Sequence, residues 1–267
     1  MYILPAQSTN ESDNFVEFPF YKDGIPIKGA KWGITLKKAG SMRFRWNETN
    51  SLRRNMLNRI AEGRKITQTE LIHSKTVLKS PGGGFSAGTQ CDGILCDNKN
   101  LMPVITVADC VPIYFFEPES GAFGVLHSGW KGTGIIAKAV EMLESAYGAK
   151  SENILIAIGP HIRECCYIID EERAMHFANN FSGSCILEYD KNAENSKCIK
   201  WNNNGAKQFR LSLEKANLSI MKRLNIPDEN ITLLQDCTCC KEIYGSNRRQ
   251  TSKGEEFTVQ AAFVKLS

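Results

Sequence analysis

Three apolar runs follow one another closely at 102–108, 111–116 and 122–127, separated only by Asp109-Cys110 and by a turn from Pro118 to Gly121. Apolar runs of this length between turn signals point to buried strands, and the short turn makes 111–127 a hairpin. The last run ends on His127. The turn Gly129-Trp130-Lys131-Gly132-Thr133-Gly134 then leads into a helix from about Ile135, where Ile135, Ile136, Ala139, Val140, Leu143 and Tyr147 share one face. Ile154–Pro160 is a further apolar run, expected as a buried central strand.

The other elements fall around this group. Residues 50–60 have helical spacing, with Asn50 or Ser51 as cap and Gly63 as stop, and a strand carrying His73 near its end should follow. Pro81-Gly82-Gly83-Gly84 is a flexible turn. Asp170–Phe181 and Leu211–Leu224 are helical, 184–189 and 231–234 are strands, and 257–264 closes the sheet. The polar stretch 190–205 is expected to be a mobile surface loop. Residues 1–30, broken by Pro19, Gly24 and Pro26, form an arm or edge strands of the same domain. Strands and helices interleave without strict βαβ alternation, and no repeat or linker divides the chain. The expectation is one α/β (or α+β) domain over 31–267, a mixed sheet flanked by helices.

The bulk numbers narrow the function classes. The 267 residues are 42% hydrophobic and 23% charged, and 33 basic against 29 acidic residues leave a net charge of only +4. The basic group Arg43, Arg45, Arg53 and Arg54 is therefore read as a solvated face or an anionic small-molecule contact, with no nucleic-acid partner. No stretch reaches the ~18 apolar residues of a membrane span. The N-terminus lacks a secretory pattern, so a cytoplasmic protein with no membrane partner is expected. Its ten cysteines should then be reduced. Cys237-Thr238-Cys239-Cys240 has no clean Cys-x-x-Cys partner in sequence, and is read as thiol-rich packing, as are Cys91 and Cys96.

The candidate chemistry lies at His73, Cys110 and His127. Two imidazoles and a thiol are the three-ligand set that catalytic zinc uses, with a fourth position left to water whose pKa falls to about 7. The same residues allow a metal-free alternative, with Cys110 as nucleophile and His127 as its base. Across the hairpin these two can lie side by side. Lys131 and the backbone of Gly129–Gly134 offer an anion cradle, with a plain helix cap by Thr133 as the competing reading. Arg248 and Arg249 could hold a phosphate or carboxylate. His161 ends a strand, and His176 is expected on a helix face.

Several ordered motifs give these residues a common context. Val107-Ala108-Asp109-Cys110-Val111-Pro112, Leu126-His127-Ser128-Gly129-Trp130-Lys131-Gly132-Thr133 and Ile158-Gly159-Pro160-His161-Ile162-Arg163-Glu164-Cys165-Cys166-Tyr167 stand in order. Leu71-Ile72-His73-Ser74 precedes them, and Tyr244-Gly245-Ser246-Asn247-Arg248-Arg249 follows. From about residue 50 onward the chain resembles the laccase-domain (YfiH-like) family, also known as multicopper polyphenol oxidases and purine nucleoside phosphorylases. The resemblance implies a cysteine-hydrolase-type topology and a zinc held by His73, Cys110 and His127, with copper ranked below zinc. It further implies phosphorolysis of adenosine, inosine and S-methyl-5'-thioadenosine, and deamination of adenosine. Nucleoside and phosphate would be the partners, with Lys131 and Arg248 as anion contacts.

The chain departs from the family pattern in places. Leu71-Ile72 replace a glutamine before the first histidine, Ile168-Ile169 follow Tyr167, and the family's N-terminal stretch is not visible in 33–44. Alternatives therefore stay open: an amidase editing mis-aminoacylated UDP-MurNAc peptidoglycan precursors, a copper-dependent polyphenol oxidase, or a zinc-stabilised binding module.

Overall fold

The computed structural model describes residues 1–5, 13–189 and 207–267. In chain order the strands are β1 (Tyr2–Leu4), β2 (Phe15–Lys22), β3 (Ile25–Thr35), β4 (Lys65–Gln68), β5 (Val77–Lys79), β6 (Gly93–Cys96), β7 (Leu101–Val107), β8 (Val111–Glu117) and β9 (Ala122–Ser128). They continue as β10 (Leu155–Ile158), β11 (Ile168–Ile169), β12 (Ile186–Glu188), β13 (Phe209–Leu211), β14 (Ile231–Leu234) and β15 (Gln260–Leu266). The helices are α1 (Ser51–Ala61), α2 (Ile136–Tyr147), α3 (Glu171–Asn180), α4 (Leu213–Arg223) and α5 (Asn247–Ser252).

The apolar runs prove to be buried on both faces because two sheets pack against each other and helices cover their outer sides. A seven-stranded mixed sheet runs β1-β14-β10-β8-β9-β6-β5, and a five-stranded one runs β2-β3-β15-β7-β4. Side chains alternate between faces along a strand. In β8, Val111, Ile113 and Phe115 join the core under α2 and α4, with Ile136, Leu143, Leu213 and Met221. Tyr114 and Phe116 point the other way, into the core shared with the five-stranded sheet. There the Trp32 and Tyr114 rings lie 4.8 Å apart. In β7, Leu101, Ile105 and Val107 share that inner core. Met102 and Val104 face outward onto Leu57 and Ile60 of α1. The small sheet β11-β13-β12 is separate from both large ones.

The expected single mixed sheet is thus two packed sheets plus a small one. Runs 102–108 and 111–116 are adjacent in sequence but belong to different sheets. Between them Asp109 takes φ 78°, a left-handed conformation that lets the chain turn from one layer to the other. The hairpin 111–127 forms as expected, with Pro112 opposite His127 and Val111 opposite Ser128. Ile154–Pro160 yields β10, central between β14 and β8.

Asn50 caps α1 by accepting from the Arg53 backbone N–H, and Asp170 caps α3 in the same way from Arg173. Of the N-terminal arm, β1 is an edge strand beside β14 and β2 is the edge of the other sheet, while β3 lies inside it. The closing strand begins at Gln260, three residues later than expected, leaving Phe257 and Val259 in a non-strand segment. The expected mobile loop at 190–205 lies outside the described residues.

Candidate metal centre and its cavity

Asp92, absent from the residues singled out in the sequence, organises the centre. It is fully buried just before β6. Its Oδ1 lies 2.9 Å from His127 Nδ1 and accepts from the His73 backbone N–H at 3.0 Å. Its Oδ2 accepts from the Ser74 N–H at 2.7 Å and the Ser74 hydroxyl at 2.8 Å. The Asp92 carbonyl also accepts from the His127 N–H. One carboxylate therefore fixes both histidines.

These contacts explain why His73 is not at a strand end. β4 stops at Gln68, and His73 sits beyond it in a bend with φ 56°. The three N–H groups of 72–74 turned onto Asp92 hold the chain in that left-handed conformation. The His73 and His127 rings stand 5.0 Å apart at 61°. Donor atoms of His73, Asp92 and His127 all fall within 4.8 Å of one another.

Cys110 enters from the layer crossing just before β8. It is partly buried and lies beside His127. A methyl group placed on Gly129 would sit 3.1 Å from Cys110 Sγ and 3.7 Å from His127 Nε2, so both line the same small space. With Nδ1 on Asp92, His127 presents Nε2 to that space. A carboxylate behind a ligating imidazole is the arrangement that fixes tautomer and ring orientation in histidine metal sites.

The two histidines differ in their electrostatics. Burial works against a charged His127, but Cys110 and Asp92 outweigh it and push the imidazole up to about 9. Burial and the neighbouring His127 hold His73 below its ordinary value, which favours the neutral, ligating form. Burial raises the Asp92 carboxyl, and its bonds to His127 and Ser74 more than reverse that, leaving it below the usual carboxylate range.

A cavity of about 560 Å³ opens onto His73, Cys110 and His127. Phe44, Trp130, Tyr167 and Phe257 give it flat aromatic walls, and Arg43, Arg45, Arg173 and Arg248 give it positive charge. Its size lies within the ordinary range for small-molecule sites. Asp109 also borders it: Oδ1 accepts from Thr238 Oγ1 at 2.6 Å, and Oδ2 accepts from Ser246 Oγ at 3.0 Å and the Arg248 N–H at 2.6 Å. Burial pushes this carboxyl up despite those three donors. Asp109 thereby ties the 238 and 246–248 segments to the backbone that carries Cys110.

The remaining sequence candidates divide. Arg248 reaches the cavity, with its guanidinium 5.6 Å from the Tyr167 ring centroid and bonded to the Ile168 carbonyl. Arg249 is buried and clamps the carbonyls of Thr238, Cys239 and Lys241. Lys131 is exposed, 5.5 Å from the Trp130 ring, and the cavity wall at this turn is Trp130 itself. At the Gly129–Gly134 turn the Gly134 N–H donates to Asn217 Oδ1, and Thr133 donates its hydroxyl back to the Gly129 carbonyl instead of capping α2. His161 is fully buried beside the Gly159 carbonyl, and His176 is exposed on α3. The four thiols Cys165, Cys166, Cys237 and Cys240 also come together, which the sequence reading did not anticipate.

A sequence model of the family described as multi-copper polyphenol oxidoreductase laccase matches residues 47–264. The chain belongs to this family. Within it, the chain is 26% identical over 249 residues to purine nucleoside phosphorylase YlmD of Geobacillus stearothermophilus, covering 84% of this chain and 86% of that protein. It is 28% identical over 171 residues to adenosine deaminase RL5 of an unknown prokaryotic organism, covering 62% of this chain and 60% of that one. The crystal structure of the Geobacillus YlmD superposes with a TM-score of 0.77 at 24% identity, over 98% of this chain and 99% of that one. The mixed α/β fold is therefore that of the family, whose relatives are named as enzymes of purine nucleosides.

Proposed function

We propose that the protein is a zinc-dependent purine nucleoside phosphorylase acting on adenosine, inosine and S-methyl-5'-thioadenosine, with adenosine deaminase activity. The observation that carries this reading is the double role of Asp92, which holds the His127 side chain and the His73 backbone, so that two imidazoles from separate segments stand 5.0 Å apart and His127 faces the space it shares with Cys110. A Cys–His dyad has no use for His73, whereas a three-ligand metal site needs it. Two imidazoles and one thiolate fit zinc. Copper ranks lower, because imidazole-rich copper chemistry has little to draw on in a chain with only four histidines. Zinc bound here would supply Lewis acidity and a coordinated water of pKa about 7.

The chain's own residues account for binding and orientation. Base–aromatic stacking contributes about 1–3 kcal/mol per base, and Phe44, Trp130, Tyr167 and Phe257 offer the surfaces. Arg248 and its neighbours Arg43 and Arg45 supply positive charge for phosphate, a role for which planar guanidinium groups suit better than an exposed lysine such as Lys131. In phosphorolysis, a phosphate oxygen bonds to the anomeric carbon while the carbon–nitrogen bond to the purine breaks. The electron pair leaves with the purine, which takes up a proton. In deamination, water adds at the amine-bearing purine carbon and ammonia departs. Aromatic walls hold the flat base in both reactions. Nucleoside and phosphate are thus the proposed partners, and the cytoplasm is the proposed location; among the described residues no helix is long and apolar enough to cross a membrane.

A second reading rests on one feature. Asp92, His127 and Cys110 lie in the order acceptor, base, nucleophile that thiol hydrolases use. That order would suit amide cleavage on an aminoacylated UDP-MurNAc precursor. Metal analysis separates the two. His73→Ala and His127→Ala should each lose the zinc of this centre together with nucleoside turnover. Amino-acid release that survives both zinc removal and His73→Ala would favour the thiol reading instead.

A further inference from the structure

We propose that Cys165, Cys166, Cys237 and Cys240 form a second, structural zinc site, distinct from the histidine centre. The sequence hid it because its halves, a vicinal pair and a Cys-x-x-Cys turn, lie about seventy residues apart. In the fold, Cys165 Sγ lies 3.7 Å from Cys166 Sγ and 3.6 Å from Cys240 Sγ, and Cys166 and Cys240 are 3.3 Å apart. All four sulfurs fall within 4.8 Å of one another.

These separations identify the chemistry. A zinc–sulfur bond is about 2.3 Å, so a tetrahedral four-sulfur site has edges of about 3.8 Å. A disulfide needs about 2.05 Å. The sulfurs thus stand close to the edges of a metal tetrahedron and well short of bonding contact. The Arg163 N–H points at Cys237 Sγ at 3.5 Å. A backbone donor of this kind stabilises a thiolate ligand. On binding, four sulfur–zinc bonds form and the remaining thiol protons pass to solvent. The site would carry two net negative charges, and the guanidinium of Arg249 on the loop carbonyls of 238 and 239 lies on hand to offset them.

The placement gives the site a purpose. It joins the 161–167 segment to the 237–240 turn, which already meet at the His161–Cys237 bridge and the Thr238 N–H to His161 carbonyl bond. Ile162 and Tyr167 of the first segment line the cavity, and Thr238 of the second donates to Asp109 beside Cys110. A metal there pins the back of the cavity wall.

The test reads metal, not turnover: the zinc counts include the proposed histidine centre, and the cobalt titration of the variant lacking both histidines stands or falls independently of it. Protein purified under reducing conditions should hold two zinc equivalents per chain by elemental analysis. Cys240→Ser, at an exposed position, should hold one. Metal-free His73→Ala/His127→Ala protein titrated with Co²⁺ should retain an intense thiolate-to-cobalt charge-transfer absorption with tetrahedral visible bands. This measurement decides the matter even where Cys240→Ser folds poorly. Absence of that spectrum, an unchanged two equivalents in folded Cys240→Ser, or a disulfide linking the two halves in metal-free purified protein would each overturn the proposal.

Discussion

At the scale of single residues the centre depends on a buried carboxylate that neither binds substrate nor lines the cavity. Asp92 takes a side-chain bond from His127 and backbone bonds from 72–74, so removing its charge should act on the metal and the fold together. Asp92→Asn should weaken zinc binding by about 10–100-fold, as for other partners behind metal-bound histidines. It should also lower stability by about 1.5–3 kcal/mol, the usual worth of hydrogen bonds to charged groups. Competition with a chelator and urea unfolding measure the two effects; zinc affinity equal to wild type would show that the carboxylate does not orient His127. In the sequence His127 and Cys110 were visible because each ends an apolar run. Asp92 was not, since its meaning comes from contacts 18 to 35 residues upstream and downstream. The one available hint was an acid set directly against the apolar β6 run.

Among the elements, the β8–β9 hairpin is closely packed against its neighbours. A Cβ on Gly124 would meet the Ile94 carbonyl oxygen at 2.1 Å and Phe115 Cζ at 2.4 Å, both fixed in the sheet. Gly124→Ala should therefore destabilise by about 1–3 kcal/mol or more through overpacking. On the helical side, Leu143 of α2 is fully buried against the seven-stranded sheet. Leu143→Ala should cost about 2–5 kcal/mol. Equilibrium unfolding checks both, and a wild-type midpoint for Gly124→Ala would contradict the packing described for this hairpin. Apolar runs and caps told the elements apart well, as α1, α3 and β10 show. They could not tell which sheet a strand joins: β7 and β8 look alike in sequence, and only the left-handed turn at Asp109 separates their layers. The 257–259 segment has the composition of a strand, yet Phe257 and Val259 border the cavity instead.

Over the whole molecule, the cavity is an assembly of distant pieces. Phe44 precedes α1, Tyr167 precedes β11, Trp130 follows β9, and Arg248 and Phe257 come from the C-terminal region. No local pattern reveals such convergence, which is why the family motifs carried information that periodicity did not. If the aromatic walls hold a purine, Tyr167→Ala should raise KM for nucleosides by roughly ten-fold, the equivalent of about 1.4 kcal/mol within the stacking range, while zinc content stays unchanged. Steady-state kinetics on the zinc-loaded variant provides the check, and an unchanged KM would place the base elsewhere. The central claim is tested most directly by incubating zinc-loaded protein with adenosine in the presence and absence of phosphate and separating the purine products. The expected result is phosphate-dependent release of adenine, with inosine formed in its absence, and loss of both in His127→Ala; fully zinc-loaded, folded protein that leaves adenosine, inosine and S-methyl-5'-thioadenosine unchanged would contradict the account.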